Sequence, residues 1–171
     1  MNELVVRGDG NCFYREISLW NENKEVNHGK VRRLTNQLIA EFPDLFQPHL
    51  FSSPPSVSNH LQKCEIDGTW AETVDTVACA TLFQRRICTY SMFQGSWFCF
   101  DPVWRALPSI SIAKKQCKCP ITLACHDFHP ASHHFNLLLP STGNCCDFNT
   151  LKVHTNDIQS LEGSTSGKKY A

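Results

Sequence analysis

Apolar residues recur every three or four positions in several parts of the chain, which is the spacing of one buried helix face. Phe13, Ile17 and Trp20 show this spacing directly after Cys12. Pro43 stops a second such run. The pattern predicts four helices: one that begins at Cys12, one from about 28 to 43, a short one over 57–62 and one over 71–84.

Segments rich in β-branched and aromatic residues predict strands, at 86–91, 96–100 and 121–125. Gln94 and Gly95 lie between the first two and would close a hairpin. A fourth strand is predicted around His134, where apolar and polar positions alternate. We therefore expect an α/β (α+β) protein with a small central, mostly antiparallel sheet flanked by helices. The irregular stretch 101–120 is predicted to be a long surface loop.

A glycine-rich turn over residues 8–11 leads into the first predicted helix. Gly8 and Gly10 allow positive φ angles and close backbone approach, so the turn can direct several N–H groups into one small space. Cys12 would then stand at a helix N-terminus. The partial positive charge there favours a thiolate and can lower the pKa below the roughly 8.5 of a free thiol. Cys12 is therefore the candidate nucleophile, and the N–H groups could bind an oxyanion.

A cysteine nucleophile needs a general base and a group that orients the base. Side chains two positions apart on a strand share a face, so Asn136 can hydrogen-bond the ring of His134. If His133 were the base, its partner two positions on would be Phe135, which cannot orient an imidazole. The pattern selects His134 as the base.

These segments resemble the OTU (ovarian tumour) cysteine proteases. The resemblance rests on residues 9–13 with Arg15 and 17–18, on residues 68–71, and on 134–136, and it runs from about 5 to 140. It implies a papain-like α/β fold. It also implies hydrolysis of the isopeptide or peptide bond after the C-terminal glycine of ubiquitin, through a thioester and without a cofactor.

The resemblance also assigns roles to single residues. It implies Cys12 as nucleophile, His134 as general base, Asn136 as the orienting group and Asp9 in the loop beside the oxyanion hole. One departure is Thr73, which stands where family members often carry a glutamate.

We expect substrate contacts in the loop over residues 64–70, before the last predicted helix. In the resembled family, this loop and the start of the helix lie near the substrate channel. We expect Glu65 and Asp67 to bind the two arginines of the ubiquitin tail, because carboxylates pair well with guanidinium groups. The alternative is that Trp70 is a core anchor and both acids are solvated charges. The other expected substrate-binding residues are Gly10, Asn11 and His133.

Two other functions compete with deubiquitination. The first is the same chemistry on a ubiquitin-like modifier, because a diglycine tail is shared. The second is a catalytically silent relative that only binds ubiquitin, although Cys12, His134 and Asn136 are all present.

Length, charge and hydropathy limit the expected domain organisation, the classes of partner and the localisation. With 171 residues and 42% hydrophobic content, we expect one catalytic domain over 1–145 and a C-terminal extension over 146–171, flexible towards its end. The net charge is zero, which favours neither nucleic acid nor a membrane surface as partner. No apolar run has the length of a membrane span and the first residues do not resemble a signal peptide, so we expect a cytoplasmic or nuclear protein. We also expect a monomer.

Three basic residues interrupt the apolar pattern of the second predicted helix. Lys30, Arg32 and Arg33 flank Val31, which belongs to the apolar face. Long charged side chains are mostly solvated. We therefore predict all three on the solvated face and assign them no ion-binding role.

Ten cysteines are fewer than a disulfide scaffold of this length would carry. Cys79, Cys88 and Cys99 lie in apolar segments, where cysteine acts as a small hydrophobe, so free thiols are expected. Six residues could supply soft ligands for zinc, but Cys-x-Cys is not a usual zinc spacing and neighbouring strand residues point to opposite faces. We therefore assign no metal to these residues, which are Cys117, Cys119, Cys125, His126, His129 and His133.

Overall fold

The computed structural model describes residues 2–51, 54, 56–103, 119–129 and 132–139. Its α-helices are α1 Cys12–Glu22, α2 His28–Glu41, α3 Pro43–Phe46, α4 Val57–Cys64 and α5 Thr73–Phe83, with 3-10 turns at Glu25–Asn27 and Gln47–His49. Its strands are β1 Asn2–Leu4, β2 Ile87–Ser91, β3 Ser96–Phe100, β4 Ile121–His129 and β5 Ser132–Leu139.

The five strands form one sheet in the order β1-β5-β4-β2-β3. All neighbours are antiparallel except β2 and β4, so the predicted mostly antiparallel sheet is confirmed. The predicted hairpin joins β2 and β3, and Gly95 in its turn has a φ of 63°. The edge strand β1 was not predicted, because it has three exposed residues and no apolar alternation.

The four predicted helices are confirmed to within a few residues, and their ends have physical causes. Helix α1 ends at Glu22, because the next residue, Asn23, adopts a left-handed conformation, and α2 ends before Pro43. Helix α5 begins with a capping box in which Glu72 and Asp75 each accept a hydrogen bond from the other's backbone. Ten of the eleven residues of α5 are buried, so it is the central helix of the core.

Aromatic packing connects the first helix to the sheet. The rings of Phe13 and Phe135 meet edge to face with centroids 5.5 Å apart. Both rings are buried in the main core. Phe13 follows Cys12 and Phe135 follows His134, so the core fixes the position of the first helix residue relative to β5.

The cysteine prediction is wrong at one pair. Cys88 and Cys99 are directly opposite on β2 and β3, and they form a disulfide with Cα atoms 4.2 Å apart. Only the strand register brings them together, and register cannot be read from single cysteines in a sequence. Cys79 is a buried free thiol, as expected.

Several predictions lie outside the described residues. These include most of the loop at 101–120, with Cys117, and the C-terminal extension at 146–171. None of the helices in the described part of the chain combines the length and the apolar character needed to cross a membrane.

Candidate active site

The glycine-rich turn packs tightly against a second loop, residues 65–72. Gly10 has a φ of 78°, and a Cβ built on it would lie 1.6 Å from the carbonyl oxygen of Gly68. No side chain fits there. The contact places the turn that precedes Cys12 against the loop between α4 and α5. Cys12 is the first residue of α1 and its side chain is buried.

Asp9 and Arg15 hold the turn onto α1. One carboxylate oxygen of Asp9 accepts hydrogen bonds from the backbone N–H of Asn11 at 3.1 Å and from Arg15 Nε at 3.2 Å. The other accepts from Arg15 Nη2 at 2.6 Å. The hydrogen bond from Arg15 is the main cause that lowers the pKa of Asp9 to about 2. The carboxylate is therefore charged at neutral pH, and the Asn11 N–H is already used.

Arg32 joins the two loops, and the prediction that it lies on a solvated face is wrong. Its side chain is buried, and Nη2 donates to Gly10 O at 3.3 Å, Asn11 Oδ1 at 2.6 Å and Thr69 O at 2.7 Å. The guanidinium also lies 4.3 Å from the ring centroid of Tyr14, in cation–π geometry. Three oxygens and an aromatic face compensate part of the burial of this charge, whereas Nε and Nη1 are buried without a hydrogen-bond partner among the described residues. Lys30 and Arg33 are exposed, as predicted.

Asn11 extends the contact between the loops. Its buried side chain donates from Nδ2 to Asp67 Oδ1 at 3.1 Å. The structure therefore brings together three predicted substrate-binding residues: Gly10, Asn11 and Asp67. Asp67 and Glu65 are both exposed, and Glu65 directly follows α4.

Trp70 and His133 complete the predicted substrate-binding set. Trp70 packs against the core and also lines a cavity; its role in substrate binding stays a prediction. His133 lies on β5, paired with Asp127 of β4.

The predicted general base, His134, lies beside the glycine-rich turn. His134 is half-buried, and a Cβ built on Gly8 would lie 3.2 Å from its Nδ1. The backbone of Phe135, the next residue, hydrogen-bonds the thiol of Cys12. The Cys12 thiol thus lies against the backbone of β5 next to His134, and the His134 ring lies against the glycine-rich turn.

Asn136 is buried beside the N-terminal segment. Its Oδ1 accepts a hydrogen bond from Val6 N at 3.4 Å, and its Nδ2 donates to Glu3 Oε1 at 2.7 Å. These two bonds fix which end of the amide is oxygen and which is nitrogen. Glu3 was missed by the sequence reasoning, because β1 pairs with β5 across more than a hundred residues of sequence.

The prediction of a lowered pKa for Cys12 is wrong. Burial raises the pKa of the thiol, and this outweighs the hydrogen bonds from the backbone of Phe135 and Phe13 that lower it. The negative charge of Asp9 also raises it. A thiol of this kind depends on a neighbouring base to become a nucleophile.

Glu16 is a second group that sequence reasoning did not find. It lies one helical turn after Cys12 with its side chain fully buried. Burial, followed by the charge of Glu25, raises its pKa to about 9. Glu16 is therefore a neutral carboxylic acid at neutral pH.

A cavity of about 800 Å³ borders this site. Its walls are mainly apolar, and Phe135 belongs to them together with Thr69. The cavity adjoins the loop contact, because the carbonyl of Thr69 accepts from Arg32. Cys12 and His134 are not among its described lining residues. The other described lining residues include Trp70, Thr73, Thr76, Phe98 and Phe100.

Comparison with known proteins assigns the family. The family model of the OTU-like cysteine proteases matches residues 7–131, and the chain belongs to this family. A curated relative, OVARIAN TUMOR DOMAIN-containing deubiquitinating enzyme 7 of Arabidopsis thaliana, is 28% identical over 95 residues, which are 56% of this chain and 25% of the relative. Enzyme 12 of the same series and plant is 27% identical over 96 residues, 56% of this chain and 42% of the relative. The chain thus spans less than half the length of these relatives.

Solved structures of low sequence identity share the fold. The OTU domain of OTUD1 matches with a TM-score of 0.61 at 19% identity, covering 81% of this chain and 85% of that one. The Hazara virus OTU bound to ubiquitin matches with a TM-score of 0.56 at 14% identity, covering 81% and 82%. The predicted α+β OTU fold is confirmed.

Replacement of Arg32 tests the contact between the loops. We expect Arg32→Leu to lower the free energy of unfolding by about 2 kcal/mol, because Gly10, Asn11 and Thr69 lose a buried donor. The matched control is Arg33→Leu on the same helix, which should change it by less than about 0.5 kcal/mol. Urea denaturation measures both. Equal effects of the two variants on the free energy of unfolding would contradict the conclusion that Arg32 joins the two loops.

The Asp9 carboxylate should make stability depend on acid. Its pKa of about 2 lies below the ordinary value of 3.8, so its stabilisation is present above pH 4 and is lost as the pH falls towards 2. Asp9→Asn should therefore be less stable than wild type at pH 6, and the difference should shrink between pH 4 and pH 2.

The control for this measurement is Asp44→Asn, at an exposed position of α3. Its difference from wild type should change little over the same range in urea denaturation. A constant difference for Asp9→Asn from pH 6 to pH 2 would show that its charge does not hold the turn.

Proposed function

We propose that this chain is a cysteine-type deubiquitinase, which hydrolyses the isopeptide or peptide bond after the C-terminal glycine of ubiquitin. The observation that carries the proposal is the position of the Cys12 thiol, which meets the backbone of β5 beside His134 at the start of a helix. Family membership supports the cysteine protease chemistry. The names of the plant relatives and the ubiquitin-bound viral OTU support ubiquitin as substrate.

In the proposed first step, His134 removes the proton of the Cys12 thiol. The resulting thiolate attacks the carbonyl carbon of the terminal glycine. The negative charge that develops on the carbonyl oxygen is bound by N–H groups of the turn before α1. Because the Asn11 N–H already donates to Asp9, other N–H groups of the turn must supply these bonds.

The second half of the reaction returns the enzyme to its starting state. The protonated His134 gives its proton to the leaving lysine amine, and the carbon–nitrogen bond breaks to leave a thioester on Cys12. His134 then takes a proton from water, which attacks the thioester. Ubiquitin leaves with a free carboxylate, and the sulfur of Cys12 recovers its proton.

The surroundings of His134 fit the role of general base. The burial that raises the pKa of Cys12 makes proton transfer to a neighbour necessary. Asn136 would orient the ring, since it lies two positions along the same strand. The hydrogen bonds of Asn136 to Val6 and Glu3 would in turn fix its amide.

Ubiquitin's extended tail would approach along the cavity at Trp70 and Phe135. The exposed carboxylates of Glu65 and Asp67 are proposed to bind its arginines. Asp67 accepts from Asn11 through one oxygen, Oδ1. Gly10, Asn11 and His133 are the remaining proposed contacts.

A ubiquitin probe with an electrophilic C-terminal group tests the proposal. Wild type should form a covalent adduct, and Cys12→Ala should form none. The matched control is Cys79→Ala, which removes a buried free thiol far from the turn in sequence and should still react. His134→Gln should slow adduct formation by about 100-fold or more, the range for a general base. Intact-mass spectrometry measures all four.

Three other results of the probe experiment would each contradict a different part of the proposal. No adduct from folded wild type would contradict the protease proposal, and retained ubiquitin binding would then indicate a silent relative. Reaction only with a probe built on a ubiquitin-like modifier would overturn ubiquitin as substrate and keep the chemistry. An adduct on Cys12→Ala would contradict the nucleophile.

A further inference from the structure

We propose that His60, Cys64 and Asp75 bind a zinc ion, which clamps the two ends of the loop that supports the candidate active site. None of these residues belongs to the catalytic set, and none is one of the six candidate zinc ligands named in the sequence analysis. The three side chains are buried. Their potential ligand atoms lie within 4.8 Å of one another.

The distances fit a single metal ion. His60 Nε2 lies 3.3 Å from Cys64 Sγ and 3.1 Å from Asp75 Oδ1, and the sulfur and oxygen are 4.0 Å apart. A point about 2 Å from all three atoms exists, which equals Zn–N and Zn–O bond lengths and is slightly short of a Zn–S bond. A small outward movement of the sulfur would bring all three bonds to their usual lengths.

The fold places these ligands by regular structure. His60 and Cys64 are four residues apart on α4, so they share one face of the helix. Asp75 lies in the first turn of α5. Thiolate, imidazole and carboxylate form a donor set that suits zinc and excludes calcium or magnesium, which prefer oxygen alone.

The neighbouring groups match those that usually support a zinc ligand. The second oxygen of Asp75 accepts from Glu72 N at 2.7 Å, so one oxygen caps the helix while the other faces the cluster. His60 Nδ1 lies 3.8 Å from a carboxylate oxygen of Glu72 and has no hydrogen-bond partner in the described part of the chain. A metal on Nε2 would place the ring proton on Nδ1, facing that carboxylate.

Charge balance favours zinc in this buried place. A zinc ion with one thiolate, one carboxylate and a neutral imidazole has no net charge, which limits the cost of burial. Three protein ligands leave the fourth position of a tetrahedral zinc to a water molecule.

Zinc here would act on the loop at 65–72. That loop begins directly after Cys64 and ends just before α5, so the metal would join its two ends. Its middle supplies the Gly68 and Thr69 carbonyls that meet Gly10 and Arg32. An ion pair between His60 and Asp75 would also connect α4 and α5, but it would not require the thiol of Cys64. Whether Cys64 is required therefore distinguishes a zinc site from an ion pair.

Cobalt binding tests the proposal, because a thiolate bound to Co²⁺ gives a charge-transfer absorption band in the near ultraviolet. The protein carries Cys12→Ala in every arm, so that the candidate nucleophile cannot bind the metal. After removal of bound metal with a chelator, titration with Co²⁺ should give the band with one equivalent per chain. Zn²⁺ should abolish the band and raise the thermal midpoint by several degrees.

Two variants locate the site. Adding Cys64→Ser should remove the band, whereas Cys79→Ser, at a buried thiol that contacts Thr35, should keep it. Circular dichroism confirms that each variant is folded. If Cys64→Ser does not fold, His60→Gln replaces it and should also lose the one-equivalent binding.

The proposal is overturned if the folded Cys12→Ala protein gives no band. It is also overturned if the band persists without Cys64, which would place the metal on other cysteines. Because the readout is absorbance of a protein without its nucleophile, this result is independent of the proposed protease activity.

Discussion

One guanidinium, that of Arg32, holds together the two loops that form the candidate active site. A single nitrogen donates to the carbonyl oxygens of Gly10 and Thr69 and to the side chain of Asn11. Burying a cation is costly unless polar groups replace its water. These oxygens and the face of Tyr14 replace part of that water, so the charge is tolerated only while both loops keep their positions.

The geometry of the nucleophile follows from this contact. Helix α2 packs in the core, so the backbone of Arg32 has a fixed position. The hydrogen bonds of its guanidinium therefore fix the position of the turn before Cys12. The turn can approach the second loop because Gly10 has no side chain where Gly68 lies. Asp9 and Arg15 then connect the turn to α1, and the Phe13–Phe135 contact sets α1 against the strand of His134. Each connection uses a different interaction, and together they bring a cysteine and a histidine far apart in sequence into one site.

The sequence predicted those parts that depend on local periodicity. Apolar spacing located α1 to its first residue, and alternation placed Phe135 in the core and His134 with Asn136 on the other face. Both follow from how a helix or strand buries one side. These patterns, with the family resemblance, were enough to select the candidate catalytic residues and the fold.

The remaining features depend on tertiary contacts that no local pattern carries. Arg32 has the same side chain as its exposed neighbour Arg33, and only the two loops that meet it make its burial favourable. The disulfide of Cys88 depends on strand register. The raised pKa of Cys12 depends on how much of the protein covers the helix end, which outweighs the effect expected from the helix alone.

Hydrogen exchange on the Arg32→Leu variant tests most directly whether Arg32 couples the two loops. Peptides over 8–11 and 66–70 should both exchange faster than in wild type, while those over α5 keep their protection as an internal reference. Arg33→Leu should leave all three regions unchanged. Unchanged exchange in both loops, or faster exchange in only one, would contradict the claim that this cation holds them together.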